Sequence, residues 1–316
     1  MPIEKHTITT REDWLKLRLN DLTASDLGAY LGLTPWKSPA ELMAEKRGLS
    51  PQLASESRVM RRGRRDEYAI LRIIAEQRPT WSISESKVYL RDPSIRLGAT
   101  PDAVAVDPEC EGIGVIQCKS VAADVFDRSW VQDDGSIEIP LPYLLQTLCE
   151  AHLAEASWAV LAVWVRSAWT EDLHILPVIR DERAEENVRD LAVRFWKDCD
   201  SGKLPEFGHK NDSKTVELFF PKEREDQKEP TDWSGDNEAR GLIDEYIEIR
   251  ERAKIDAERK SEIATHLKEK LGYDGSARVD GYSVSWKTTN RKETVVKASS
   301  FRTLRVAAPR KPKGDK

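Results

Sequence analysis

The chain has 316 residues, 39% hydrophobic and 33% charged, which is enough for one large soluble domain with or without an appended segment. No run of about 18 apolar residues is present and the first residues lack the apolar stretch of a secretory signal, so we expect no membrane span and a cytoplasmic location. The net charge of −5 argues against a uniformly basic nucleic-acid-binding domain, so any DNA contact must come from local basic patches.

The cysteines are spaced too widely for a zinc or iron–sulfur site. None forms a C-x-x-C pair, and no Cys/His cluster has the spacing of zinc ligands. Iron–sulfur thiolates also come in close groups. We therefore expect free thiols in a reducing compartment at Cys110, Cys118, Cys149 and Cys199.

The N-terminal part of the chain is predicted to be helical. Residues 12–47 form the first helical region, in which Thr23-Ala-Ser25 is a good helix start. Residues 57–78 form a second helix, whose predicted apolar side consists of Tyr68, Ile70, Leu71 and Ile74. The stretch RVMRRGRR at 58–65 is either a DNA-contacting patch or an ordinary solvated helix face.

The middle of the chain alternates between strand and helix patterns. Strands are predicted at 86–90, 113–119 and 157–166, and helices at 142–156 and 180–200. Residues 96–106 are predicted to enter a strand after the break at Thr100-Pro101. This order predicts an α+β fold in which helices pack on a mixed β-sheet.

The composition changes after residue 220. Residues 221–238 are charged, contain two prolines and lack periodicity, which indicates a linker or exposed loop. A long charged helix with a narrow apolar stripe is predicted at 239–271, and a β-hairpin at 277–288 turning at Asp280-Gly281. We therefore divide the chain into a core (1–220), a linker or loop (221–238), a helical and β-hairpin extension (239–305) and a disordered basic tail (306–316).

The residues best suited to metal binding and catalysis are Asp102, which follows Thr100-Pro101, and the pair Gln117 and Lys119. Side chains two residues apart on a strand share a face, so residues 117 and 119 can both point towards Asp102 on a neighbouring strand. Oxygen ligands of this kind suit magnesium, and a lysine beside them can orient a water or stabilise charge on a phosphorane. The pattern alone is short and weakly specific.

Four sequence motifs, in the same order along the chain, resemble those of one known family. Trp14-Leu-Lys-Leu-Arg18-Leu-Asn-Asp-Leu-Thr-Ala-Ser25 resembles the opening of bacteriophage lambda exonuclease, and Gly63-Arg-Arg-Asp-Glu67 resembles the helix motif of that family. Leu97-Gly-Ala-Thr-Pro-Asp102 and Tyr143-Leu-Leu-Gln146 are similar to two further segments. Over residues 14–166 the chain is thus identified as similar to lambda exonuclease and its YqaJ-type relatives, which are PD-(D/E)xK nucleases.

The resemblance implies a restriction-endonuclease-like core and a set of site residues. Asp102, Gln117 and the backbone carbonyl of Cys118 would hold Mg²⁺, for which Mn²⁺ can substitute. Glu67 would help to hold a second ion or its waters, with Asp66 as the alternative if the helix register shifts. Lys119 would position the attacking water, supported by Gln146.

The resemblance also implies how a DNA end is held. Arg18 and Ser25, with Thr23 beside them, would bind the 5′-phosphate. A guanidinium forks onto phosphate oxygens, and a serine at a helix start adds a hydroxyl beside free backbone N–H groups. For Ser25, a plain helix cap remains an alternative that is compatible with this role.

One position departs from the family pattern, because Gln117 stands where the family usually has Glu. The amide offers an oxygen but no charge, so metal affinity should fall. Natural variation in an active enzyme, an engineered inactivating change and a nuclease-dead binder are all open, and we favour an active enzyme. Glu150, one turn beyond Gln146, is a candidate to replace part of the lost charge.

The predicted function is a Mg²⁺-dependent 5′→3′ exonuclease that converts linear double-stranded DNA into 5′-mononucleotides and a 3′ single strand. The resemblance implies a role in homologous recombination, a ring-shaped homo-trimer, a single-strand annealing protein as partner, and a bacterial or phage-infected host cell. The alternatives are a nuclease-impaired DNA-end-binding or assembly subunit of the same fold and, less favoured, an endonuclease acting on closed DNA.

Overall fold

The computed structural model describes residues 2–50, 57–208, 210–226, 229–290 and 304–306. Its internal contacts divide the chain into two compact units, Met1–Phe220 and Pro221–Lys316. Each unit is described by itself below.

The first unit alternates helices and strands along the chain. Its described helices are α1 (Arg11–Asn20), α2 (Leu27–Tyr30), α3 (Pro39–Lys46), α4 (Arg58–Gln77), α5 (Ala123–Ser129), α6 (Leu141–Leu153), α7 (Glu182–Asp200) and α8 (Ser213–Phe219). Its described strands are β1 (Glu4–Thr7), β2 (Leu22–Thr23), β3 (Ser82–Glu85), β4 (Val88–Asp92), β5 (Leu97–Ala99), β6 (Ala103–Val106), β7 (Gly114–Ala122), β8 (Trp158–Arg166) and β9 (Glu171–Val178).

A five-stranded mixed sheet with the order β3-β6-β7-β8-β9 forms the centre of this unit. Only the β7–β8 pair is parallel, and the other neighbours are antiparallel. Ile70 and Ile74 of α4 pack on one face against Ile116 and other β6–β8 side chains. Helices α6 and α7 pack on the opposite face, against the cluster that contains Val115. The predicted α+β class, a mixed sheet flanked by helices, is confirmed.

A second sheet, β1-β4-β5-β2, adjoins this core and determines where the chain turns. Strand β5 ends at Ala99 in one sheet, and β6 begins at Ala103 in the other. The residues between them, Thr100-Pro101-Asp102, therefore form the corner at which the chain changes sheets. Proline suits such a break because its fixed φ and missing N–H end a strand ladder.

The expectation of one helical region over 12–47 is wrong in detail. Helix α1 ends at Asn20, because the next residue, Asp21, is buried in a bidentate ion pair with Arg91 of β4. Strand β2 then pairs in parallel with β5, and a 3₁₀ turn at Ala24–Asp26 leads into α2. These breaks come from long-range pairing rather than from local sequence pattern.

The second predicted helix is confirmed, with one error on its apolar side. Helix α4 lies within one residue of the predicted bounds, and the Ser57 hydroxyl caps it by accepting from the Met60 N–H at 3.1 Å. Ile70 and Ile74 are buried, whereas Tyr68 is 66% exposed. The helices predicted at 142–156 and 180–200 and the strands predicted at 113–119 and 157–166 are confirmed as α6, α7, β7 and β8.

The second unit contains a long helix and a hairpin. These are α9 (Asn237–Leu271), β10 (Ser276–Val279) and β11 (Tyr282–Ser285). The hairpin turns at Asp280 and Gly281 with φ of 46° and 83°, as a turn with two left-handed residues requires. The predicted hairpin is confirmed, and the tail beyond residue 306 lies outside the described residues. No helix in the described ranges has the length and apolar character to cross a lipid bilayer.

Candidate active site

The corner between the two sheets places Asp102 against the middle of β7. The antiparallel β6–β7 register pairs Ala103 with Ile116, so the residue before Ala103 meets the residues after Ile116. The Asp102 carboxylate accepts from the Gln117 amide at 2.6 Å and from the Cys118 backbone N–H at 2.7 Å. The structure therefore brings together Asp102 and the 117–119 segment, as their sequence pattern predicted.

Lys119 shares the face of β7 that α6 covers. Ile116 and Cys118 pack towards α4, whereas Val115 belongs to the cluster with α6, and side chains alternate along a strand. The Lys119 ammonium lies 5.5 Å from the centre of the Tyr143 ring on α6. Burial raises the pKa of Asp102, and the charge of Lys119 offsets part of that rise. Lys119 is thus a cation on the same side of the sheet as the carboxylate.

Glu67, rather than Asp66, is the acid of α4 that acts on Asp102. Asp66 is buried in an ion pair with Arg166 of β8 at 2.5 Å, and the same guanidinium donates to the Ser120 hydroxyl at 2.8 Å. Burial and the charge of Asp102 together raise the pKa of Glu67 to about 7. The ion pair of Asp66 thus fixes the rotation of α4 and leaves Glu67 for the site.

Helix α6 contributes Gln146 and Glu150. The Gln146 amide donates to Glu150 Oε1 at 2.9 Å, so among the described residues it bonds to this glutamate rather than to Lys119. Glu150 is 1% exposed, and its second oxygen, Oε2, has no hydrogen-bond partner among the described residues. Burial and the charge of Asp102 raise the pKa of Glu150 well above its usual value.

The donor set of this cluster suits a hard divalent cation. Burial raises the pKa of Asp102 as well, so three carboxyl groups in one region resist ionisation together. Gln117 Oε1 is buried without a partner in the described part of the chain. A cation among these oxygens would stabilise the ionised carboxylates and would give Gln117 Oε1 a partner. Magnesium favours oxygen ligands of this kind.

Acidic side chains alone do not complete a site. Among the described residues, no three His, Cys, Asp or Glu side chains converge closely enough to hold an ion. A cation here would therefore also need neutral oxygens, such as Gln117 Oε1 and the Cys118 carbonyl. The Gln117 Nε2 currently lies between the oxygens of interest, 2.6 Å from Asp102 Oδ2 and 3.4 Å from the Cys118 carbonyl. Turning the amide by half a turn would exchange its nitrogen for its oxygen.

A second cluster gathers the residues expected to bind phosphate. The Arg18 guanidinium donates to the Ser25 hydroxyl at 2.9 Å, and the Thr23 and Ser25 hydroxyls are 3.1 Å apart. Ser25 is exposed and Arg18 is half-buried, so both can reach a solvent-borne anion. Ser25 lies inside the 3₁₀ turn rather than at the start of a longer α-helix.

Buried charges hold this second cluster in place. Asp26 accepts from the Thr23 hydroxyl at 2.6 Å and pairs with the Lys46 ammonium at 2.8 Å. Lys46 in turn donates to the Arg18 carbonyl at 2.7 Å. The positive charges of Lys46, Lys37 and Arg18 outweigh the opposing effect of burial and lower the pKa of Asp26.

The two clusters are linked through Trp14 and Arg18. The Arg18 guanidinium stacks 4.6 Å above the Trp14 ring, and the Trp14 N–H donates to the Thr100 hydroxyl at 3.1 Å, two residues before Asp102. Burial raises the pKa of Glu150, and the charge of Arg18 offsets a part of that rise. An anion held by Arg18 would therefore lie beside the carboxylate cluster.

Some residues of the site escaped sequence reasoning. Arg166 and Lys46 gave no signal, because their roles depend on pairing partners 100 and 20 residues away in the chain.

The basic patch on α4 is exposed, and α4 also carries Glu67. Arg58, Arg61, Arg62, Arg64 and Arg65 thus point into solvent from a helix that borders the site.

Comparison with known proteins adds independent information. Residues 13–157 match the model of the YqaJ-like viral recombinase domain. The chain is 24% identical over 304 residues to the uncharacterised protein YqaJ of Bacillus subtilis, with 92% of this chain and 88% of that protein covered.

Two solved exonuclease structures are similar to parts of the chain at low TM-scores. An alkaline exonuclease of Laribacter hongkongensis in complex with dAMP has a TM-score of 0.46 and 15% identity, over 66% of this chain and 99% of that one. The shutoff and exonuclease protein of Kaposi's sarcoma-associated herpesvirus has a TM-score of 0.36 and 11% identity, over 67% and 72%. The resemblance predicted from the motifs is confirmed, and residues 13–157 match the YqaJ-like viral recombinase domain.

Proposed function

We propose that this protein is a Mg²⁺-dependent 5′→3′ exonuclease that digests linear double-stranded DNA to 5′-mononucleotides and leaves a 3′ single strand. The observation that carries the proposal is the contact of Asp102 with Gln117 and Cys118, with Lys119 on the same face of β7. The match to a viral recombinase domain supports it.

Asp102, Gln117 Oε1 and the Cys118 carbonyl would hold the cation, and Glu67 would hold a second ion or its waters. Bound there, Mg²⁺ supplies neutralisation of phosphate charge and a lowered pKa for an attacking water. Mn²⁺, which accepts similar ligands, can substitute.

Lys119 would orient the water and stabilise charge that develops on the phosphate oxygens. The water oxygen would bond to phosphorus as the bond to the 3′ oxygen of the departing mononucleotide breaks. That 3′ oxygen would take up a proton, and the shortened strand would carry the new 5′-phosphate. The Lys119 ammonium lies over the Tyr143 ring of α6, and Gln146 on the same helix donates to Glu150, so Gln146 would support Lys119 indirectly through α6.

Arg18, Ser25 and Thr23 would hold the terminal 5′-phosphate. A guanidinium and two hydroxyls within one hydrogen-bonded cluster offer several donors to phosphate oxygens. Holding the 5′-phosphate beside the carboxylates sets which strand is cut and gives the 5′→3′ direction. The exposed arginines of α4 would contact the duplex backbone.

The biological setting belongs to the same proposal. A recombination nuclease of this kind would act in a bacterial or phage-infected cell, hand its 3′ single strand to an annealing protein, and encircle DNA as a homo-oligomeric ring, a trimer by family resemblance. Sedimentation of the pure protein tests the ring, and co-purification with a strand-annealing protein tests the partner.

The direct test of polarity compares linear duplexes with 5′-phosphate and 5′-hydroxyl ends in the presence of Mg²⁺. We expect the wild type to prefer the phosphorylated end and Arg18→Ala to lose about tenfold of that preference, the scale of one charge-assisted hydrogen bond. Glu12→Gln, an exposed change on the same helix α1, is the control. An Arg18→Ala variant that keeps the wild-type preference would refute the phosphate role.

A specific observation favours a second candidate, a nuclease-impaired DNA-end binder. The Gln117 amide nitrogen lies between Asp102 and the Cys118 carbonyl, where it acts as a neutral stand-in for a cation. This candidate predicts tight binding of DNA ends without digestion by the wild type, and digestion after Gln117→Glu. Digestion by the wild type excludes it.

A further inference from the structure

Glu150 has an environment that neither packing nor hydrogen bonding explains. The side chain is 1% exposed on α6, and only one of its two carboxylate oxygens has a partner, the Gln146 amide at 2.9 Å. A buried carboxylate oxygen without a donor is costly, so such a group in a folded protein calls for a functional or ligand-based explanation.

Gln117 presents the matching deficiency. It is 3% exposed on β7, its amide nitrogen contacts Asp102, and its Oε1 has no partner among the described residues. Two buried oxygens on α6 and β7 are therefore left for something that the protein itself does not provide. Helix α6 packs directly on β7.

The acids act on a common point of the sheet. Burial raises the pKa of the Cys118 thiol, and the charges of Asp102, Glu67 and Glu150 all add to that effect. Cys118 lies between Gln117 and Lys119, so this point is the stretch of β7 that carries the candidate site. The positive charges of Lys119 and Arg18 favour the ionised form of Glu150 and offset part of the rise in its pKa.

We propose that Glu150 supplies the negative charge that Gln117 lacks, and that the cation site consists of Asp102 and Glu150 with Gln117 as a neutral ligand. The acid has in effect moved from the strand to the helix. Gln146 is then a positioning residue, because its bond to Oε1 leaves Oε2 for the cation. This inference rests on the proposed function and names a ligand of that same site.

The test is a charge exchange between positions 117 and 150 in the full-length protein. Binding of Mn²⁺ alone, without DNA, is measured by calorimetry and by the paramagnetic resonance signal of free Mn²⁺. We expect Glu150→Gln to weaken binding about tenfold or more. The double variant Gln117→Glu/Glu150→Gln should return the affinity towards the wild-type value, because it restores the same number of carboxylates. If Glu150 has only a structural role, Glu150→Gln keeps the wild-type affinity and the double variant binds Mn²⁺ more tightly than the wild type.

The matched control is Glu185→Gln. Glu185 is another buried glutamate, but both its oxygens are partnered, by Arg180 at 2.6 and 2.7 Å. We expect this variant to bind Mn²⁺ as the wild type does. Glu150→Gln keeps the shape of the side chain and can still accept from Gln146, and a thermal melt without metal checks that it folds.

The outcomes separate this inference from the proposed function. Wild-type affinity in a folded Glu150→Gln variant, or failure of the double variant to recover, overturns the role of Glu150 while leaving the nuclease intact. If Glu150→Gln does not fold, Glu150→Asp decides, since the shorter side chain keeps the charge but withdraws it from the site, so Mn²⁺ binding must weaken if Glu150 is a ligand, and unchanged affinity overturns its role. A wild type that binds no Mn²⁺ and digests no DNA refutes the proposed function itself.

Discussion

Asp26 shows how single buried charges shape the cluster of Arg18, Thr23 and Ser25. Its side chain is 4% exposed and pairs with Lys46, whose side chain is fully buried, while its carboxylate also accepts from Thr23. Removing one partner of a buried ion pair leaves the other charge uncompensated, which is more costly than the pair is stabilising. The position of Arg18 depends on the same pair, because Lys46 donates to the Arg18 carbonyl.

At this residue we predict a pH-dependent loss of stability. Asp26→Asn should lower the free energy of unfolding by about 3 kcal/mol at pH 7. Because the folded protein lowers the pKa of Asp26 below its usual 3.8, the contribution of the carboxylate is complete above that pH and is lost as pH falls towards the folded pKa. Urea unfolding at several pH values measures the difference between wild type and variant. A difference that shrinks above pH 5 contradicts the buried pair.

Gln117 is an uncharged residue at a position where a cation site would favour a carboxylate. Gln117 carries no charge where the resemblance implies a Glu, and among the described residues its amide oxygen is unpartnered while the nitrogen contacts Asp102. Binding of a cation would require the amide to turn, which gives up hydrogen bonds worth about 1 kcal/mol each. An acid elsewhere in the site makes that exchange favourable.

At the scale of elements, β5 and its corner hold the site in register. A Cβ atom added at Gly98 would lie 2.0 Å from the Tyr89 hydroxyl, which is buried and donates to Asp21. Glycine is required there because the aromatic ring of β4 lies directly over the β5 backbone. The same strand leads into Thr100-Pro101-Asp102, so a displacement of β5 would move the candidate ligand.

We therefore predict that Gly98→Ala destabilises the protein by about 1–3 kcal/mol, the usual cost of overpacking. Gly63→Ala is the matched control, since Gly63 lies in helix α4 with no atom near the added Cβ. That substitution should stabilise the helix by up to about 1 kcal/mol. Thermal or urea unfolding of both variants provides the comparison. Equal effects of the two substitutions would show that β4 does not constrain β5.

The elements also show what the sequence could predict and what it could not. The strongly periodic helices α4, α6 and α7 and the apolar strands β7 and β8 were predictable, because their patterns depend on one buried face. Strand β9 was missed because EDLHILPV contains charges and a proline and is defined by its pairing with β8. The break at Asp21 was missed because its cause, Arg91, is 70 residues away.

Some contacts of the candidate site could likewise be predicted from the sequence, and others could not. The contact between Asp102 and the 117–119 segment followed from strand alternation and motif order, whereas the partners of Asp66 and Gln146 required coordinates. The phosphate cluster was predicted by resemblance in its members, Arg18 and Ser25. The buried Lys46 beneath it was not, since nothing in the local sequence distinguishes it from a solvated lysine.

At the scale of the whole molecule, the proposed site lies within the first unit. Every residue proposed to hold the cation or the 5′-phosphate falls between Arg18 and Glu150, and the first unit extends to Phe220. The long helix α9 of the second unit has an apolar stripe whose side chains are exposed in the described residues, including Leu242, Tyr246 and Ile249. Because the proposed ligands and catalytic residues all lie in the first unit, we do not expect the second unit to contribute any.

From this division we predict that a fragment of residues 1–220 folds cooperatively and binds Mn²⁺ with the affinity of the full chain. Circular dichroism during thermal unfolding and calorimetric titration with Mn²⁺ are the measurements, with the full-length protein as reference. Loss of cooperative unfolding would show that the core depends on residues after 220. Retained folding with lost Mn²⁺ binding would place a ligand in the second unit.

The most direct test of the central claim measures nucleotide release from linear, 5′-phosphorylated duplex DNA in the presence of Mg²⁺, with covalently closed circular DNA and the Asp102→Asn variant measured in parallel. The account predicts 5′-mononucleotides from the linear DNA only, no release without Mg²⁺, and a loss of at least about a hundredfold in Asp102→Asn, as expected when a charged ligand of the cation is removed. Release from closed circles at the same rate, or undiminished release by Asp102→Asn, would contradict it.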